Sequence, residues 1–227
     1  LKSPALFNFP PQAKVGRVLP KSKIYQNVRV SAALRERFVR QVEQITWQYK
    51  LAPETINLPA RSGVEEIEIF DIALKTDALD EDVLRAIDRA IPLPILFQLH
   101  HRQRTRMVAA YKRPSAAEAG KWVIDGYCVG YHATEWQPAA AARQPLPIAL
   151  DLHSLYEQLL RSLLPQAARP GESLPEQLER LTRLRSRRNE YDKLETRLHK
   201  EKQFNRKVAL NAELRELKTE IDQLATT

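Results

Sequence analysis

The sequence predicts an α+β fold, an antiparallel sheet with packed helices, followed by a long C-terminal coiled-coil helix. Three observations carry this. Short apolar runs with strand-like alternation recur between residues 45 and 131. Segments with helical spacing and capping residues fall between them. From Glu176 to Thr227 there is neither proline nor glycine, and leucines recur at intervals of three and four.

The elements follow in order. Pro4, Pro10, Pro11 and Pro20 remove backbone donors and disfavour helix, so residues 1–30 read as a basic extended arm anchored by Leu6, Phe7 and Phe9. The α+β domain spans residues 31–164. Ser31 is an N-cap, and Leu34, Phe38, Val42 and Ile45 share one helix face. Ile45, Trp47, Tyr49 and Leu51 alternate, as a strand does. In the stretch 64–75 the apolar phase shifts from Ile67 and Ile69 to Phe70, Ile72 and Leu74, which calls for a bulge or for burial on both faces. Asp80 caps a helix carrying Leu84, Ile87 and Ile91, and Pro92 and Pro94 stop it. The runs ILFQL at 95–99 and MVAAY at 107–111 flank HHRQRTR, a β-hairpin with a basic tip. Residues 122–131 add a strand, or a bent pair around Gly126. Residues 138–147 are a linker, and Asp151 caps a helix carrying Leu152, Leu155, Tyr156, Leu159 and Leu163. Strands joined by short turns place the helices on one face of the sheet.

Residues 165–175 form a second linker, and 176–227 the coiled-coil helix. Ser173 and Glu176 have capping-box spacing. The positions Leu214, Leu217, Ile221 and Leu224 keep strict 3-4-3 spacing and form the expected partner-binding stripe. Absence of Gly and Pro favours one continuous helix; the alternative is two helices folded back at about 199–206. A narrow stripe on so long a helix needs a second copy, another chain or the domain to cover it.

Composition excludes several classes. Of 227 residues 43% are apolar and 28% charged, enough for a real core. The single cysteine, Cys128, rules out an intrachain disulfide, and it reads as a buried thiol. No apolar run suits a membrane span, and the opening LKSPALFNFPPQAK lacks a secretory core. The expectation is a cytoplasmic protein without a membrane segment.

Charge is more specific. Residues 1–35 hold seven Lys or Arg and no acid, residues 36–150 hold 14 bases against 15 acids, and residues 151–227 hold 15 against 13. Lys14, Arg17, Lys21, Lys23 and Arg29 in the arm, with Arg102, Arg104 and Arg106 at the hairpin tip, are the expected phosphate contacts. Alternate arginines on a strand project to one face, and neutralising phosphates favours weak, sequence-independent DNA binding. A solvated, partner-facing charge is the competing reading.

Enzyme signatures are absent. The histidines show no metal-ligand spacing, although His100 and His132 would approach if their strands paired. No glycine-rich phosphate loop and no G-x-S-x-G occurs. The expectation is therefore no cofactor, no metal and no catalytic residue. Glu65, Glu66, Glu68 and Asp71, with Lys75, are the only hint of a metal-dependent nuclease, and it needs another acid or histidine to converge on them.

Phe7-Asn8-Phe9-Pro10, ITWQYKLAPETINLP at 45–59, AIPLPILF at 90–97 and KEKQFNRKVALNAEL at 200–214 carry a resemblance. The chain resembles a bacterial family of unknown function encoded near helicase and DNA methyltransferase genes of restriction-like defence operons. That resemblance implies an accessory subunit in nucleic acid surveillance and assigns no site residues. The reading is a non-catalytic assembly subunit of such an antiviral complex. Its coiled coil would hold a helicase or other defence-complex subunit, or a second copy of itself, and its basic patches would hold DNA. A metal-dependent nuclease and a homodimeric DNA-binding regulator are the alternatives.

Overall fold

The computed structural model describes residues 6–118, 121–124 and 130–226. Cys128 and the expected bend at Gly126 lie outside them. The fold is α+β, in two compact units, one ending at Leu164 and the other beginning at Pro165.

The first unit opens differently from the expected extended arm. β1 (Phe7–Asn8), a 3-10 turn (Pro11–Ala13), β2 (Lys14–Val18) and α1 (Lys21–Asn27) build residues 7–27 into the domain. Leu6, Phe7, Phe9, Ala13 and Ile24 are buried. The prolines do not prevent a helix here, because Pro20 stands at the N-cap of α1, where no amide is required.

α2 (Ala32–Gln41) starts where Ser31 Oγ accepts from the Leu34 amide. It leads directly into β3 (Val42–Leu51), and a single turn, α3 (Pro53–Ile56), follows. β4 (Ile67–Leu74), α4 (Glu81–Ala90), β5 (Ile95–His101) and β6 (Arg104–Ala109) complete the centre. Short strands follow: β7 (Lys112–Pro114), β8 (Trp122–Ile124), β9 (His132–Ala133), β10 (Gln137–Pro138) and β11 (Gln144–Pro145). α5 (Leu152–Leu163) closes the unit, capped by Asp151, which accepts from the Ser154 amide at 2.7 Å.

The main sheet runs β10-β6-β5-β4-β3-β2, with β9 also on β6. It is antiparallel except for β4 and β5, which are parallel. A parallel neighbour needs a crossover, and α4 supplies it. Phe70, Ile72 and Leu74 of β4 pack with Phe97, Leu99, Phe38, Ile24, Val83 and Ile87 in one apolar cluster. Alternation puts Ile67 and Ile69 on the other face, and both are buried as well. Burial on both faces thus explains the phase shift in this strand. A register shift between Trp47 and Tyr49 places a bulge on β3 opposite it.

A polar hub ties α4 to β7 and α5. Lys112 is fully buried; its ammonium lies 2.8 Å from the Asp88 carboxylate. It also donates to the carbonyls of Asp88, Ile91 and Leu93 at 3.0, 2.9 and 2.7 Å. Those carbonyls close the C-terminal end of α4, where a cation is favoured. Tyr131 donates to the other carboxylate oxygen, and the Lys112 amide donates to Tyr156 Oη at 3.0 Å. Burial pushes the Asp88 carboxyl up and the Lys112 ammonium down, and their mutual contact opposes both shifts.

In the second unit α6 (Leu174–Lys200) begins at the expected capping box, in which the Ser173 amide donates to Glu176 and the Glu176 amide to Ser173 Oγ. The continuous helix is not formed. α6 ends at Lys200, residues 201–203 are extended, and α7 (Phe204–Ala225) packs back on α6. The break needs no glycine: the Glu201 carboxylate accepts from the Lys202 and Gln203 amides at 2.8 and 2.9 Å. At the other end Arg169 donates to the carbonyls of Thr226 and Gln223 at 3.0 and 2.6 Å. Arg180, nearly fully buried, holds Glu172 through two bonds of 2.6 and 2.9 Å and donates to the Leu224 carbonyl at 3.1 Å. Arg180 beside it holds the Glu172 carboxyl down to about 2. Two cations thereby tie the C-terminus of α7 to the start of α6.

No helix among the described residues is long and apolar enough to cross a membrane.

Candidate nucleic-acid interface

The expected row of three arginines is a pair plus a turn residue. Arg102 lies in the two-residue connection between β5 and β6 with φ +54°, so it does not share the strand's alternation. Arg104 and Arg106 lie on β6 and project to one face. There they meet Trp136, a residue the sequence did not single out. The guanidinium carbons of Arg106 and Arg104 stand 4.7 and 5.5 Å from the centroid of its ring. The cause is register. Gln137 pairs with Thr105, so the antiparallel β10 brings Trp136 opposite Arg106. Nothing in the local sequence around Glu135-Trp136 reveals this contact.

Arg106 is half-buried, and burial pushes its guanidinium pKa down while Glu135 opposes that shift. Among the described residues its Nε, the Nδ1 of buried His101 and the Oγ1 of buried Thr105 find no hydrogen-bond partner, and all three atoms are buried. A guanidinium resting on an indole face is oriented but not neutralised. Arg104 is exposed beside it. On the opposite face of the same strands Arg143 donates to Gln98 at 2.7 Å and to the Phe7 carbonyl at 3.2 Å, and Gln98 donates to Asp71 at 2.7 Å. Arg143 is therefore structural.

The basic residues of the N-terminal segment are not gathered. Lys14 pairs with Tyr49 and Arg17 with Trp47, whose side chains take opposite faces of the sheet. Lys21 donates to the Val42 carbonyl at 2.6 Å and so helps close the end of α2, as does Lys75 through the Val39 carbonyl. Burial pushes the Lys21 pKa down, and Lys75 adds to that. Lys23 and Arg29 are exposed. β2 and β6 are four strand spacings apart, about 19 Å. Of the eight expected phosphate contacts, the fold brings only Arg104 and Arg106 onto a shared support, with Arg102 at the turn beside them.

The acids on and just before β4 are separated as well. Glu66 pairs with Lys50 at 2.7 Å, and Lys50 also reaches Glu54 at 3.1 Å. Glu68 is buried and accepts from the Trp47 indole. Its burial, with the Glu66 charge, pushes its carboxyl up to about 8. Asp71 points to the other face, toward Gln98 and His100. Among the described residues no three His, Cys, Asp or Glu side chains are placed to hold a metal ion. His132 pairs with Ala109 and His100 with Thr105, four residues apart along β6, so these histidines do not meet.

The expected partner stripe is largely used within the chain. Leu214 and Leu217 are buried against Leu194, with Tyr191, Leu198 and Leu210 packed around them. The cover that the stripe requires is α6 itself. Ile221 and Leu224 remain partly accessible.

These features define a class: an α+β domain with a cationic, aromatic-backed hairpin end, followed by an antiparallel helical pair. Residues 7–221 match the family described as a domain of unknown function (DUF4391), and the chain belongs to that family. No curated protein and no solved structure matches the chain.

Proposed function

We propose that the protein is a non-catalytic, nucleic-acid-contacting accessory subunit of a cytoplasmic defence complex built around a helicase or DNA methyltransferase. The observation that supports the contact is the stack of Arg104 and Arg106 on Trp136. An indole beneath two guanidinium groups restrains them without neutralising them, and Arg104 stays exposed for phosphate contact. The partner class rests on the resemblance carried by residues 45–59 and 200–214 and on nothing in the geometry. Contact with the partner is assigned to the helical pair through Ile221 and Leu224, since Leu214 and Leu217 are already covered. Affinity purification of the full chain from its native cells, with nuclease added, tests the assembly. A helicase or methyltransferase retained in fixed ratio supports the reading. Its absence, or its loss on nuclease treatment, overturns it.

A further inference from the structure

The end of the helical pair where α6 meets α7 differs from the rest of it. α7 opens with Phe204, 77% exposed, and Val208 one turn on, 53% exposed. Both precede the stripe that packs on α6, which begins at the partly buried Leu210 and continues through the buried Leu214 and Leu217. Around them, residues 197–207 carry Arg197, Lys200, Lys202, Arg206 and Lys207 against one acid, Glu201. That acid is occupied by two backbone amides and stands 3.9 Å from Arg206. Elsewhere on the pair the charges balance: residues 176–196 and 208–227 together hold eight Lys or Arg against nine acids, and Arg187 meets Glu190 at 2.8 Å and Glu220 at 2.9 Å while Arg180 meets Glu172. Among the described residues Arg197, Lys200, Lys202 and Lys207 make no ion pair.

We infer that this end is a second nucleic-acid site, in which Lys200, Lys202, Arg206 and Lys207 contact phosphates and Phe204 stacks on an unpaired base. Uncompensated positive charge calls for a polyanion. A single flat ring among those charges matches the way single strands are held, one base against one aromatic face without sequence preference. A membrane surface would need a broader apolar face than Phe204 and Val208 provide. The site shares its ligand class with the proposed function but none of its residues, and either can fail alone.

The test uses the full chain and a 12-nucleotide single strand carrying one 2-aminopurine, followed by anisotropy and by quenching of that base. Phe204 is exposed, so Phe204→Ala leaves the fold intact. It is expected to weaken binding about tenfold, to abolish the quenching and to keep the salt slope. Replacing Lys200, Lys202, Arg206 and Lys207 by Gln is expected to flatten log K against log salt by about 0.7 per lost contact. Both effects should persist in an Arg104→Gln/Arg106→Gln background, which separates this site from the hairpin. Unchanged affinity and quenching in Phe204→Ala would overturn the inference. So would binding of anionic vesicles that needs Phe204 while strand binding does not.

Discussion

Arg106 stands with its guanidinium carbon 4.7 Å above the centroid of Trp136, thirty positions away in sequence. The contact exists because β10 returns along β6 in the register Gln137 to Thr105. It converts two neighbouring arginines, which solvent would otherwise leave mobile, into a fixed cationic surface. Trp136→Ala is therefore expected to lower affinity for duplex DNA by about three- to tenfold, the size of a partly desolvated cation–π contact. The slope of log K against log salt should stay the same, because no charge is removed. A flatter slope in this variant would mean that the ring acts by another route.

Glu68 makes stability fall with rising pH. Its carboxyl is held at about 8 in the folded chain, by burial first and by Glu66 second, against 4.5 when unperturbed. Between those values the native state keeps a proton that the unfolded state has lost. The stabilisation is thus complete below about pH 4.5 and gone once the pH has risen through 8. Glu68→Gln should raise the melting temperature at pH 9 by a few degrees and change it little at pH 5. Equal shifts at both pH values would contradict the assignment.

Glu172 has the opposite sign. Arg180 holds its carboxyl down to about 2, so its contribution is present above the ordinary carboxyl range and is lost as pH falls from about 4.5 through 2. Arg180→Ala leaves Glu172 without its bidentate partner in a nearly closed site, at a cost of about 3 kcal/mol. Hydrogen exchange at residues 217–226 should speed up in that variant. The exposed Arg187, which meets Glu190 and Glu220 in open solvent, should matter far less when it is replaced by Ala. Equal effects of the two substitutions would refute this account of how α7 is held.

Lys112→Met is expected to destabilise the first unit by about 3–5 kcal/mol, since it strands the Asp88 carboxylate and three carbonyls in the interior. The double change Lys112→Met/Asp88→Leu should recover much of the loss. Urea melts of the two variants decide it. A single variant as stable as the wild type would show that the hub carries no net stability.

Local chemistry made much of this fold legible. Ser31, Asp80, Asp151 and the Ser173–Glu176 box each start the helix expected of them, because a cap involves residues only two or three apart. Alternation found β3 and β4 for the same reason, and two short apolar runs at 95–99 and 107–111 found β5 and β6. What remained hidden depends on residues far apart. The return of α7 is secured by Arg180 at Leu224 and Arg169 at Thr226, and its turn uses a glutamate where a glycine would have been visible. Trp136 under Arg106 follows from strand register. The parallel pairing of β4 with β5 requires knowing that α4 crosses over. The role of Lys21 is likewise tertiary. It closes α2, so replacing it with Gln tests the fold and not the charge of the segment.

The central claim is that the hairpin arginines contact nucleic acid. The most direct measurement is the salt dependence of duplex DNA binding for the wild type and for Arg104→Gln/Arg106→Gln. The account predicts weak, sequence-independent binding whose log–log slope is flatter by about 1.8 in the variant, two phosphate contacts at about 0.9 each. An identical slope and affinity in the two proteins would contradict it and leave Arg104 and Arg106 as supports of the sheet end alone.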